Sequence, residues 1–149
     1  MISYFHQNMV VHCDLKPQNV MRFGRKWKLI DFNNARKIGD TLPESVTPCY
    51  ASPEWVKFCY KSTGAKGEED VKVNEAIDVW GLGLILFEVF RGYPLFETMP
   101  DGPLILALNG AKDFIPMGVV DDVQAQHLLT DCLALDPAER AKTSDVLVS

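Results

Sequence analysis

The sequence predicts a mainly helical α+β domain with one short antiparallel β-hairpin near its front. Three observations carry this. Residues 74–90 form a strongly apolar stretch of helical length, residues 19–30 read as two short β-rich runs around a tight connector, and residues 31–54 hold Pro43, Pro48 and Pro53 in an irregular segment. With 149 residues, 47% of them hydrophobic and 23% charged, the chain has enough apolar material for one sizeable core.

The elements follow in order. Ile2, Phe5 and Met9 share a helical face, so residues 1–9 read as the last turns of a helix. The runs NVMRF and KWKLI flank the connector GRK and give the hairpin. The helix over Asn74–Phe90 has Asn74 as a cap, with Gly92 and Pro94 as stop signals. Further helices are predicted at Leu104–Ala111 and Asp121–Ala134, the second closed by the turn DPAER, and a last one begins at TSDVLVS. STGAKGEED, residues 62–70, reads as a surface loop because it is acidic and glycine-rich without an apolar anchor.

Composition excludes several functions. A net charge of −5 and a pI near 5.1 without a basic stripe argue against nucleic acid as a partner. Cys13, Cys49, Cys59 and Cys132 are scattered and lack the C-x-x-C pairing of a zinc site, so they read as buried, reduced thiols. The run VWGLGLILF is far short of the roughly 20 residues of a membrane span. No secretory signal opens the chain, which implies an intracellular, cytoplasmic protein.

The polar chemistry concentrates in VVHCDLKPQNV, residues 10–20. Taken alone, its Asp14 reads as a turn or cap group, Asn19 as a turn asparagine, and Asp31 further on as a strand-end aspartate. Their company changes the reading. HCDLKPQN resembles the catalytic loop of eukaryotic protein kinases, with Asp14 and Asn19 at the D-x-x-x-x-N spacing. DFN at Asp31–Asn33, TPCYASPE at Thr47–Glu54, DVWGLG at Asp78–Gly83, GYPLF at Gly92–Phe96 and DPAERAKT at Asp136–Thr143 resemble later motifs of that family, in its order. The resemblance covers almost the whole chain.

The resemblance implies the large lobe of a serine/threonine protein kinase, a truncated kinase-like fold at residues 1–149. Such an enzyme transfers the γ-phosphate of ATP to protein Ser or Thr hydroxyls with Mg²⁺. Asp14 is the implied catalytic base and Lys16 the implied contact of the transferring phosphate. Lys16, Asn19 and Asp31 are the implied nucleotide contacts, with Asn19 and Asp31 as oxygen ligands of magnesium. Lys16 and Thr47 resemble the serine/threonine class, whose threonine hydrogen-bonds the aspartate and lysine. The resemblance also implies that Asp78 accepts backbone N–H groups of the catalytic loop and that Glu54 pairs with Arg140. His12 is expected to pack and hold the loop, while His6 and His127 carry no signal.

Three departures stand out. Cys13 replaces an arginine that commonly meets a phosphate on the following segment, so switching by that route is not expected. Asn33 replaces the glycine of DFG, where its tolerance of positive φ lets the turn survive. Ser52 replaces an alanine, a change expected to be nearly silent. Gly81 and Gly83 lie inside the apolar helix, and no glycine-rich phosphate loop precedes Met1, so the chain alone is expected to bind ATP poorly. Two other readings stay open: a non-catalytic kinase-like binding module, and a decayed fragment. Val79, Leu82, Leu86 and Val89 are candidates for an exposed apolar face through which the chain would self-associate.

Overall fold

The computed structural model describes residues 1–61, 71–97, 102–103, 116 and 120–146. They include five helices: α1 (Ile2–Gln7), α2 (Pro53–Lys61), α3 (Ala76–Arg91), α4 (Val123–Cys132) and α5 (Thr143–Val146). Four short strands join them: β1 (Val10–Val11), β2 (Val20–Phe23), β3 (Lys26–Leu29) and β4 (Arg36–Lys37). The predicted loop at 62–70 and helix at 104–111 lie outside the described residues.

Helix α3 organises the core. Its apolar residues run nearly all the way round, as a buried helix requires, and Val79, Trp80, Leu84 and Phe87 are each at most 1% exposed. They pack with Ala125, Leu129 and Cys132 of α4 and with Phe96 and Val120. Burying side chains of this size stabilises by about 1.5–3 kcal/mol each. The close approach depends on missing side chains: a Cβ on Gly81 would lie 2.8 Å from Leu15 Cβ, and one on Gly83 would lie 2.8 Å from Cys132 Cβ. These glycines seat α3 against the 12–19 loop on one side and against α4 on the other.

The C-terminal end of α3 follows its sequence signal, since Gly92 closes the helix at φ 80°, but at the other end the N-cap is Glu75 rather than the expected Asn74, whose Oδ1 accepts from Ala76 N–H at 2.9 Å from one position further out. Asp122 caps α4 by accepting from Ala125 N–H at 2.9 Å. The hairpin pairs Val20 with Leu29 and Phe23 with Lys26, so its loop is Gly24–Arg25 and Lys26 belongs to the strand. A second two-stranded ladder pairs Val10 with Lys37 and Val11 with Arg36.

Several expectations change. Residues 31–54 are not wholly irregular: they contain β4, a 3-10 turn at Pro48–Tyr50 and the entry to α2. Helix α2 is not among the helices expected from the sequence, and it begins within the segment expected to be irregular, at Pro53. That proline occupies the first helical position, where a missing N–H is harmless. Ser52, expected to be silent, accepts from Trp55 N–H at 3.4 Å and so caps that helix. Val79 is buried rather than exposed, while Val89 is 72% exposed. All four cysteines are free as expected, but Cys49 and Cys59 are only half-buried.

Candidate active site

The 12–19 loop is hung from α3 by one carboxylate. Asp78, 1% exposed, accepts from Cys13 N–H on Oδ1 and from His12 N–H on Oδ2, both at 2.9 Å. This is the contact implied by the sequence, and it fixes a loop whose Cys13 sits at φ 65°. A non-glycine residue there is strained, and two hydrogen bonds from its neighbourhood over-determine it.

A third group on Asp78 had no sequence signal. His6 Nε2 lies 2.9 Å from Asp78 Oδ2, and His6 Nδ1 lies 3.1 Å from Thr143 Oγ1. His6 is 3% exposed, so it ties α1, α3 and the start of α5 together beneath the loop. One histidine in a short helix has no periodic pattern to mark it.

Above this support, the loop presents its polar groups together. Lys16 Nζ donates to Asp14 Oδ2 at 2.8 Å and to Thr47 Oγ1 at 2.6 Å. Thr47 N–H donates to Asp14 Oδ1 at 3.0 Å. The threonine hydroxyl therefore meets the lysine, while its backbone, not its side chain, meets the aspartate. Asn19 Nδ2 donates to the Asp14 carbonyl at 2.9 Å, which closes the loop on itself and leaves Asn19 Oδ1 without a hydrogen bond among the described residues.

His12 behaves as a positioning group. Its Nδ1 lies 3.3 Å from Asp14 N–H and its Nε2 lies 3.0 Å from the Ile30 carbonyl. That pattern assigns the proton to Nε2, with Nδ1 accepting. The same ring lies 5.0 Å from the Phe32 ring, which lies 5.1 Å from Phe5 of α1.

Asp31 stands apart from the network. Its carboxylate is exposed and makes no hydrogen bond among the described residues. Its placement beside Asn19 comes from the chain path, because Ile30 N–H donates to the Asn19 carbonyl at 3.0 Å. The positive φ of this turn falls on Asp31, at 62°, and not on Asn33. Asn33 therefore needs no glycine-like conformation, and the expected reason for its tolerance does not apply.

The remaining implied pair is a buried buttress. Arg140 NH1 and NH2 each donate to a Glu54 carboxylate oxygen at 2.7 Å, and both residues are 6% exposed. Other donors of Arg140 reach the carbonyls of Ala134, Ala76 and Leu135. Its guanidinium also lies 5.0 Å from the Trp80 ring. Tyr50 donates to Glu88 at 2.7 Å, and burial followed by that carboxylate pushes the phenol well above its ordinary range. Burial, with Asp78 adding to it, pushes the Cys13 thiol up to about 12, so it is not a nucleophile.

A fold hung on α3, with a carboxylate, a lysine and a threonine joined above it, defines a protein kinase domain, and residues 1–149 match that family along their whole length. The chain belongs to the protein kinase family. It is 33% identical to the human SNF-related serine/threonine-protein kinase, over 97% of this chain and 18% of the relative. It is 29% identical to an Aurora kinase of Saccharomyces cerevisiae, over 97% of this chain and 37% of that protein. The solved structure of the Cydia pomonella granulovirus kinase superposes with a TM-score of 0.74 at 20% identity, covering 99% of this chain and 52% of that one. The chain thus spans well under half the length of these curated relatives. Among the described residues no helix is long and apolar enough to cross a membrane.

Proposed function

We propose that this chain supplies the phosphoryl-transfer face of a serine/threonine protein kinase, acting on ATP and a protein Ser or Thr hydroxyl. The observation that carries the reading is Lys16 Nζ held between Asp14 Oδ2 and Thr47 Oγ1. Phosphoryl transfer needs positioning and charge neutralisation, and this arrangement supplies both. Asp14 accepts the proton of the attacking hydroxyl on a carboxylate whose orientation is set by Lys16 and Thr47. Lys16 offers its ammonium to the transferring phosphate.

The donor set fits magnesium. Asn19 Oδ1 and the Asp31 carboxylate are oxygen ligands without protein partners among the described residues, and a hard cation prefers oxygen. When bound, Mg²⁺ would be held by Asn19 and Asp31 and would neutralise charge on the phosphate oxygens. The test is a chimera in which this chain replaces the matching segment of the SNF-related kinase. It should phosphorylate Ser and Thr peptides but not Tyr peptides. Failure to transfer phosphate while still binding nucleotide would favour a non-catalytic binding module.

We further propose that residues 1–149 are the large lobe only, an incomplete kinase domain of an intracellular, cytoplasmic protein. The 52% coverage of the granulovirus kinase supports the first point, and four free cysteines support the second. The isolated chain should then bind magnesium-ATP too weakly to detect at roughly millimolar concentration. Self-association of the chain belongs to the same reading. Leu82 and Ile85 line an apolar cavity of about 220 Å³, and Val89 lies exposed further along α3. Sedimentation that stays monomeric at high concentration would dismiss it.

A further inference from the structure

The chain is acidic overall, with a net charge of −5, yet the sign reverses in the β2–β3 hairpin. No Asp or Glu occurs between Asp14 and Asp31, while Arg22, Arg25, Lys26 and Lys28 crowd into the hairpin. None of these four cations makes an ion pair among the described residues. There β2 and β3 pair only with each other, and every residue from Met21 to Lys28 is exposed. Successive side chains of a strand point to opposite faces, so both faces of the hairpin stand in water. It is a projection, anchored at its base where Val20 pairs with the buried Leu29.

Charges on an edge strand commonly keep other strands away, and that accounts for the lysines. It does not account for the aromatic groups beside the loop Gly24–Arg25. Trp27 is 61% exposed and Phe23 49% exposed. Phe23 pairs with Lys26 and Trp27 with Arg22, so the two rings lie on opposite faces of the tip. Lys28 Nζ lies 5.2 Å from the centre of the Phe23 ring.

A peptide held by its side chains needs a concave surface, and this element is convex. A lipid surface needs no concavity: cations meet anionic headgroups, and aromatic rings settle at the boundary between headgroups and acyl chains. At about 3.3 Å per residue, all four cations lie within roughly 10 Å of the loop, which is the Debye length at about 0.1 M salt. The rest of the chain is acidic, so this end alone suits an anionic surface.

We propose that the β2–β3 hairpin is a docking tip for anionic bilayers, which seats Phe23 and Trp27 in the headgroup interface. The contact uses none of Asp14, Lys16 and Thr47, so its measurement does not depend on the kinase reading. The chain 1–149 is floated with vesicles of phosphatidylcholine, alone or with about 30% phosphatidylserine, at about 0.1 M salt. Flotation leaves self-associated protein behind.

Binding should require phosphatidylserine and weaken as salt rises. Lys26→Gln combined with Lys28→Gln should lower the partition coefficient about 25-fold, about fivefold for each cation, and Trp27→Ala should lower it about 10-fold. Brominated lipid should quench the bound chain through Trp27, since Trp80 is fully buried and Trp55 Nε1 donates to the Pro43 carbonyl. Trp27→Phe should lose that quenching while its partition coefficient changes by less than about threefold. No flotation with phosphatidylserine, equal flotation without it, or quenching that persists in Trp27→Phe would overturn the proposal. So would tighter binding to poly-glutamate or to single-stranded DNA than to vesicles, since the partner would then be an acidic polypeptide or a nucleic acid. If Trp27→Ala lowers the thermal midpoint, the paired glutamine variant decides, because both of its changes are on exposed side chains: reduced flotation supports the tip, and unchanged flotation overturns it.

Discussion

Removing one partner of the Glu54–Arg140 pair should be the most damaging single change outside the core. Glu54→Gln keeps the shape but leaves a guanidinium 6% exposed and without its counter-charge, since its other acceptors are the neutral carbonyls of Ala134, Ala76 and Leu135. Stranding one member of a buried pair costs about 3–5 kcal/mol, a large part of a total stability of roughly 5–15 kcal/mol. In a chain of this size that lowers the thermal midpoint by roughly 6–20 °C. Arg140→Lys should fall between, because a single ammonium cannot reproduce two parallel bonds and three carbonyl contacts. The assay is thermal unfolding followed by circular dichroism, with denaturant midpoints as a check. A loss below about 1 kcal/mol for Glu54→Gln would refute the reasoning, since that is the size of an exposed pair.

Other outcomes follow from the same geometry. Asp78→Asn offers one acceptor oxygen where two now serve His12, Cys13 and His6, so it should cost about 1–3 kcal/mol and speed exchange of the His12 and Cys13 amides. Gly81→Ala should push Leu15 and cost about 1–3 kcal/mol in thermal unfolding, because the added Cβ falls 2.8 Å from Leu15 Cβ. Ser52→Ala should cost about 0.5–1 kcal/mol, since it removes a cap bond of 3.4 Å. Burial raises Cys13 and Cys132 to about 12, so maleimide at pH 8 should leave both unmodified until the chain unfolds. Labelling of either in the native chain would contradict their placement.

Much of this architecture was readable because the signals are local. The apolar run of α3 and its Gly92 stop are each set by a few neighbouring residues, and so is the hairpin. Asp14, Lys16, Asn19 and Asp31 were marked by the resemblance of their motifs to those of protein kinases, and the structure joins the first three through hydrogen bonds. What stayed hidden depends on distance or on a position's context. His6 gains its role from Asp78 and Thr143, far along the chain. Pro53 reads as one of three prolines in an irregular segment until Ser52 is seen as the cap before it. The positive φ of the Asp31 turn rests on the aspartate rather than on Asn33, and no side-chain preference discloses that.

The central claim is that Asp14 is the base of phosphoryl transfer, and the most direct measurement is turnover beside nucleotide affinity for Asp14→Asn in the chimera. The structure places Asp14 against Lys16 and Thr47, and Asn19 meets only its backbone carbonyl. The substitution should therefore lower kcat by about 10²–10⁴-fold, the range for losing a general base, while the Kd for magnesium-ATP changes by less than about threefold. Near-normal turnover in Asp14→Asn, or a collapse of nucleotide affinity with turnover per bound enzyme preserved, would contradict the account.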